Sequence, residues 1–176
     1  MYALMDALEG IGDFINMGGE VLKYCIVPLL LLLWTLIFER VWYFKTSLKG
    51  DVQAAIDTWE ERAERRSKRA HQVREAIISR VSIKIDENMT LIKTLVALAP
   101  LFGLMGTVWG MINVFDIMGI TGGGDAKSMA SGVFKATIPT MSGMVTAISG
   151  VFGYTYLDRV TAREKSLLED HLTMDH

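Results

Sequence analysis

The 176-residue sequence has a single cysteine, Cys25, and three dispersed histidines, His71, His171 and His176. One thiol closes no intramolecular disulfide, and with scattered imidazoles it supplies no zinc or haem ligand set. No nucleophile stands in a recognisable arrangement with a base. The glycine run Gly122-Gly123-Gly124 is not a phosphate loop either, because Ala126 rather than glycine precedes Lys127-Ser128. The sequence therefore predicts no enzyme, no metal and no cofactor. The most informative absence is charge: Thr94 to Met118 holds one charged residue, Asp116, and Thr137 to Leu157 holds none.

What fills those gaps is apolar. Hydrophobic residues make up 51% of the chain, and the mean hydropathy is +0.30. Tyr24 to Phe44 is apolar until Glu39-Arg40. Each of the three stretches is long enough, at helical rise, to cross roughly 30 Å of hydrocarbon. Between Lys45 and Lys93 lie nine further basic residues, among them Arg62, Arg65, Arg66, Arg74 and Lys84, whereas Asn113 to Ala136 has only Lys127 and Lys135. The positive-inside rule puts the basic connection in the cytoplasm. The expected fold is all-α: an integral membrane protein with three transmembrane helices, N-terminus outside and C-terminus inside, with long helices extending into the cytoplasm. The boundaries read as an outer-face amphipathic helix at 1–19, spans at 20–48, 93–120 and 135–158, a cytoplasmic helical region at 49–92, an outer loop at 121–134 and a cytoplasmic tail at 159–176.

Leu4, Met5, Leu8, Ile11 and Ile15 recur at helical spacing opposite Asp6, Glu9 and Asp13, the pattern of a helix lying in a membrane–water interface. These acidic leading residues lack the basic start of a secretory signal, so the first span reads as an uncleaved anchor. Gly18-Gly19 breaks the helix. The first span closes on Trp34, Phe38, Glu39, Arg40, Trp42 and Tyr43, with the Glu39–Arg40 pair at the inner interface. That pair reads as structural, with a proton-relay role for Glu39 as the alternative. Asp51 to Ile85 has neither glycine nor proline and predicts helix. Its alternating charges, as in Glu60 to Arg66, suit a solvated helix in an oligomer and not a nucleic-acid partner.

The second span contains Pro100 and then Gly103, Gly106 and Gly110 on one face, with the hydroxyl of Thr107 beside them. Small residues at that spacing let another helix approach closely, and a threonine among them needs a hydrogen-bond partner. The third span carries Pro139, hydroxyls at Thr137, Thr140, Ser142, Thr146 and Ser149, and glycines at Gly143, Gly150 and Gly153. One face is expected to pack on a neighbouring helix and the other to line something polar. Neither span has a carboxylate or histidine at mid-depth, so the chain lacks a titrating relay and supplies walls.

Three spans, a Glu-Arg pair closing the first, APLFGLMGTVWGM from Ala99 and KATIPTMSGMVTAISG from Lys135 together resemble the MotA/TolQ/ExbB family of proton-channel subunits, most closely its ExbB/TolQ branch. The resemblance implies a ring, a pentamer of this subunit around a single-span ExbD/TolR-like partner, in the inner membrane of a Gram-negative bacterium. It implies that Thr107 and Thr140 line the pore, facing an aspartate on the partner. ExbB and TolQ carry a glutamate where this chain has Lys135, and Asp116 ends the second span at similar depth. An Asp116–Lys135 ion pair at the outer mouth is therefore expected. Gly103, Gly106, Gly110, Gly143 and Gly150 are expected to pack helices.

The function so implied is a proton-channel or motor subunit of an ExbB–ExbD–TonB-like complex, which couples proton motive force to active transport across the outer membrane. A TolQ-like subunit for envelope maintenance and a non-transducing scaffold for a single-span partner are the alternatives. Flagellar-stator work is disfavoured by the short region between the first two spans.

Overall fold

The computed structural model describes residues 2–61, 68–122 and 126–171, and all regular structure among them is helical. Parts of the predicted charge ladder (62–66) and glycine turn (123–125), and His176, lie outside the described residues, as do the side chains of Leu4 and Leu8.

Helix α1, Tyr2–Met17, leaves Met5, Ile11 and Phe14 exposed. It ends at the two glycines, where a methyl on Gly18 would lie 2.3 Å from Leu22 Cδ2 and Gly19 takes φ +75°. A side chain at the first position requires Leu22 to move, and glycine meets the second without strain. A short turn α2, Gly19–Val21, leads through a π-helical turn at Leu22–Ile26 into α3, Val27–Thr46. The wide turn closes with the Val27 N–H on the Leu22 carbonyl, immediately before Pro28, which has no N–H to offer.

Two shorter helices follow, α4 at Leu48–Glu60 and α5 at Lys68–Asp86. The expected single helix over 51–85 is thus two helices that pack on one another. Ala55 and Trp59 of α4 and Ala70, Val81 and Ile85 of α5 share one core, an arrangement a straight rod would leave in water. Asn88, in the left-handed region at φ 62°, turns the chain into α6, Met89–Thr121. Asparagine adopts that conformation more easily than most residues. Helix α7 runs without interruption from Ala126 to His171, so residues 126–134, expected as loop, are helical.

The chain divides into two compact units. One comprises Met1–Trp34 and Thr94–Val151, with buried clusters at Leu22, Ile26 and Ile138 and at Leu29, Ala99 and Ala147. The other comprises Thr35–Lys93 and Phe152–His176, with a core of Leu48, Trp59, Val81, Ile85 and Leu168.

Among the described residues two helical stretches are long and apolar enough to cross a membrane, Gly19–Thr46 and Arg69–Ile120. The third expected span, 135–158, lies in α7 and is not among them. Its hydroxyls, glycines and Pro139 dilute its apolar character.

Candidate functional site

The site begins with close approach of α6 and α7. A methyl added to Gly103 would lie 3.0 Å from the Pro139 carbonyl oxygen and the Thr140 Cα. On Gly106 it would lie 2.4 Å from Pro139 Cβ, on Gly110 2.7 Å from Ala136 Cβ, and on Gly143 2.6 Å from the Ala99 carbonyl oxygen. Gly150 meets Leu33 and Val96 at the same range. The glycines of α6 therefore seat α7 of the same chain. Contact this close is the geometry small residues permit between helices in lipid.

The seam holds two hydroxyls. Thr107 and Thr140, both half-buried, hydrogen-bond one another through their side-chain oxygens. Thr140 donates to the Gly103 carbonyl at 2.9 Å, and Thr107 stands 3.4 Å from the same oxygen. Each hydroxyl has one proton, so the better geometry has Thr140 donating to Gly103 and Thr107 donating to Thr140. The Thr107 oxygen then keeps free acceptor capacity on the half-exposed side. Three further hydroxyls of α7 turn onto their own helix: Thr137 onto Phe134, Ser142 onto Ile138 and Ser149 onto Thr146. Thr107 and Thr140 bridge α6 and α7.

From Thr94 to Phe115 and from Ala136 to Leu157 the chain has no aspartate, glutamate, histidine, lysine or arginine. The bridge can orient a water or accept a hydrogen bond, but it does not hold charge near neutral pH.

Beside this seam is a cavity of about 410 Å³, reached by Glu20, Trp109, Asn113, Ile117, Lys135 and Pro139. The expected Asp116–Lys135 pair is not formed: among the described residues no ion pair joins them. Asp116 is exposed and does not line the cavity, whereas Lys135 does. The reason is level: Ala136, next to Lys135, packs on Gly110, and Asp116 lies six residues, about 9 Å at helical rise, further along α6.

The other unit is built on charge. Arg40 is 1% exposed. Its Nη1 donates to the Lys84 carbonyl at 3.0 Å, its Nη2 meets Glu87 at 3.2 Å, and its Nε lies 3.6 Å from Glu39. The guanidinium also stands 5.2 Å from the centre of the Tyr43 ring, within cation–π range. Asn88 donates to Glu39 at 3.2 Å. The Tyr43 hydroxyl donates to Asp51 at 2.7 Å, and Lys84 reaches the other oxygen of that carboxylate at 2.8 Å. The Lys84 bond, and after it the Tyr43 bond, holds the Asp51 carboxyl below its ordinary range. Lys165 pairs with Asp86 at 2.5 Å. The sequence marks Glu39 and Arg40 but not Lys84, Glu87 or Asn88, which lie more than forty residues further along and carry no local signal.

Comparison with known proteins matches residues 43–170 to the MotA/TolQ/ExbB proton channel family. Over 85 residues the chain is 36% identical to a biopolymer transport protein ExbB of Xanthomonas campestris pv. campestris, covering 48% of this chain and 34% of that protein. Over 70 residues it is 44% identical to a putative biopolymer transport protein ExbB-like 1 of Synechocystis, covering 38% and 28%. Over 96 residues it is 31% identical to the Tol-Pal system protein TolQ of Pseudomonas aeruginosa, covering 54% and 40%. The chain thus spans between about a quarter and two fifths of the length of these relatives.

Proposed function

Because the chain belongs to the MotA/TolQ/ExbB proton channel family, we propose that it forms the wall of a proton path in an ExbB-like, inner-membrane energy-transducing complex of a Gram-negative bacterium. The observation that carries this reading is the Thr107–Thr140 bridge, set in a glycine-packed seam without a charged side chain. In the proposed topology α3, α6 and α7 cross the membrane with the N-terminus outside, and copies of the chain form a ring, a pentamer, around a single-span partner of the ExbD/TolR type. That partner supplies the missing carboxylate, and a TonB-like protein carries the work outward.

The chemistry of the wall follows from the direction of its hydrogen bonds. A partner carboxyl beside Thr107 is desolvated, which raises its pKa. Its protonated form donates to the free lone pair of the Thr107 oxygen. Its ionised form meets no free donor there until the hydroxyl chain reverses, so the wall favours the neutral acid and a proton arriving from water. The Arg40 cluster holds α3 at the cytoplasmic end.

A TolQ-like role in envelope maintenance is the second reading, supported by the similarity to the Pseudomonas TolQ protein. Purification of the tagged chain from its native membranes in a mild detergent, with mass spectrometry of what accompanies it, tests the proposal. A single-span protein with an aspartate near the start of its span, recovered with a TonB-like chain, is the expected result. Recovery of the intact ring without a single-span protein contradicts it, and a TolA-like chain in place of TonB selects the second reading.

A further inference from the structure

The cavity beside the seam has a composition that the proton path does not use. Its volume, about 410 Å³, lies within the roughly 300–1,000 Å³ of small-molecule sites. It is bounded by the Gly18–Gly19 bend and by α6 and α7, and its lining holds one carboxylate, Glu20, and one ammonium, Lys135. Both side chains are exposed, and among the described residues neither is ion-paired. Asn113 adds an amide to the lining, and Val114 and Ile117 add apolar surface. Ile117 and Trp109 are more than half exposed, so the apolar wall continues out of the cavity along α6. Pro139, which gives α7 no N–H for the Lys135 carbonyl, leaves a further acceptor at the same place.

A free anion would satisfy Lys135 and repel Glu20, and a free cation would do the reverse. A ligand with separated positive and negative groups and an apolar body satisfies every part of the lining. We propose that this cavity binds the headgroup of a zwitterionic phospholipid with a primary ammonium, phosphatidylethanolamine. Lys135 holds the phosphate, Glu20 accepts hydrogen bonds from the ammonium, and the acyl chains leave over Trp109 along α6 past the exposed Met105 and Leu101, toward the middle of the bilayer in the proposed topology. The three N–H donors of a primary ammonium suit a carboxylate and a backbone carbonyl together. An anionic lipid such as phosphatidylglycerol has a phosphate for Lys135 but only neutral hydroxyls for Glu20, which leave its charge uncompensated. Tryptophan is at home at the level of lipid headgroups, which is where Trp109 then lies. A lipid held there also links the bend before α3 to α6 and α7.

The test is lipid retention by the assembled complex. The wild-type complex and variants are reconstituted in nanodiscs of equal phosphatidylethanolamine and phosphatidylglycerol, then released and weighed by native mass spectrometry with their bound lipids. The wild type is expected to retain phosphatidylethanolamine about two- to fivefold over phosphatidylglycerol, the scale of one partly exposed charge contact. Glu20→Gln is expected to abolish that preference, Glu20→Lys to reverse it, and Lys135→Gln to reduce retention of both lipids. Subunit number in the same spectra reports assembly. Equal retention of the two lipids by the wild type, a preference for phosphatidylglycerol, or Glu20 variants indistinguishable from wild type overturns the proposal.

Discussion

The two units of the chain solve the same problem, holding helices together, by opposite means. In the seam of α6 and α7 the contact is made by missing side chains: Gly103, Gly106, Gly110 and Gly143 bring backbones together, and two hydroxyls provide a polar bridge. In the unit containing Arg40 the contact is made by long side chains and charge, over a core of Leu48, Trp59, Ile85 and Leu168. Water explains the difference. Where the surroundings are apolar, hydrophobic burial adds nothing between helices, and shape with a few internal hydrogen bonds must serve. Where carboxylates such as Glu39 and Glu87 can stay half in water, at 49% and 66% exposure, an arginine can be buried among them without stranding a charge.

Gly106→Leu attacks the first kind of contact at its tightest point. Its Cβ alone would overlap Pro139, and a further isobutyl group forces α6 from α7, at a cost of about 3 kcal/mol or more. Loss of the proposed ring on size-exclusion chromatography is the expected outcome, while Gly119→Leu, at a glycine with open space around it, leaves assembly intact. The second kind of contact is broken by Arg40→Met, which keeps the bulk and removes the guanidinium. It leaves the Lys84 carbonyl without its donor and lets Glu39 and Glu87 return to water, so the cost is smaller, about 2 kcal/mol. Thermal melts of the solubilised protein measure this, and protease sensitivity is expected to rise around α4 and α5.

The smallest effect sharpens the comparison by pH. The Asp51 carboxyl sits below its ordinary range because Lys84 and Tyr43 bond its ionised form. Its contribution is therefore fully present above the ordinary value of 3.8 and is lost as pH falls through the lower, folded value. Because the pair is partly open to water, that contribution is below about 1 kcal/mol. Melting temperature followed from neutral pH down to about pH 3 is expected to fall more for the wild type than for Asp51→Asn. Parallel curves for the two proteins contradict the assignment.

Much of this was readable in the residues. The glycine face of the second span, the break at Gly18-Gly19 and the apolar runs of α3 and α6 all follow from spacing within one element. Spacing identifies a face but not what lies on it. Hence Thr107 reads as a hydroxyl in need of a partner, and only the fold pairs it with Thr140, thirty-three residues away in the same chain. The same limit hid the Lys84, Glu87 and Asn88 partners of Glu39 and Arg40, and it suggested an Asp116–Lys135 pair that their different levels along α6 and α7 leave unformed. The fold-back of α4 on α5 was hidden because an unbroken run of helix formers gives no sign of where helices separate.

The central claim is that this chain lines a proton path without owning the group that titrates. Proton uptake into liposomes carrying an internal pH dye, driven by a potassium-diffusion potential, tests it directly. Three preparations are compared: the ring alone, the ring with its co-expressed single-span partner, and the same complex bearing Thr107→Val and Thr140→Val. The account predicts no flux above empty liposomes for the ring alone, flux with the partner present, and a loss of about tenfold in the double variant at unchanged subunit composition, the rate equivalent of about 1.4 kcal/mol. Flux through the ring alone, or an undiminished rate in the valine variant, contradicts it.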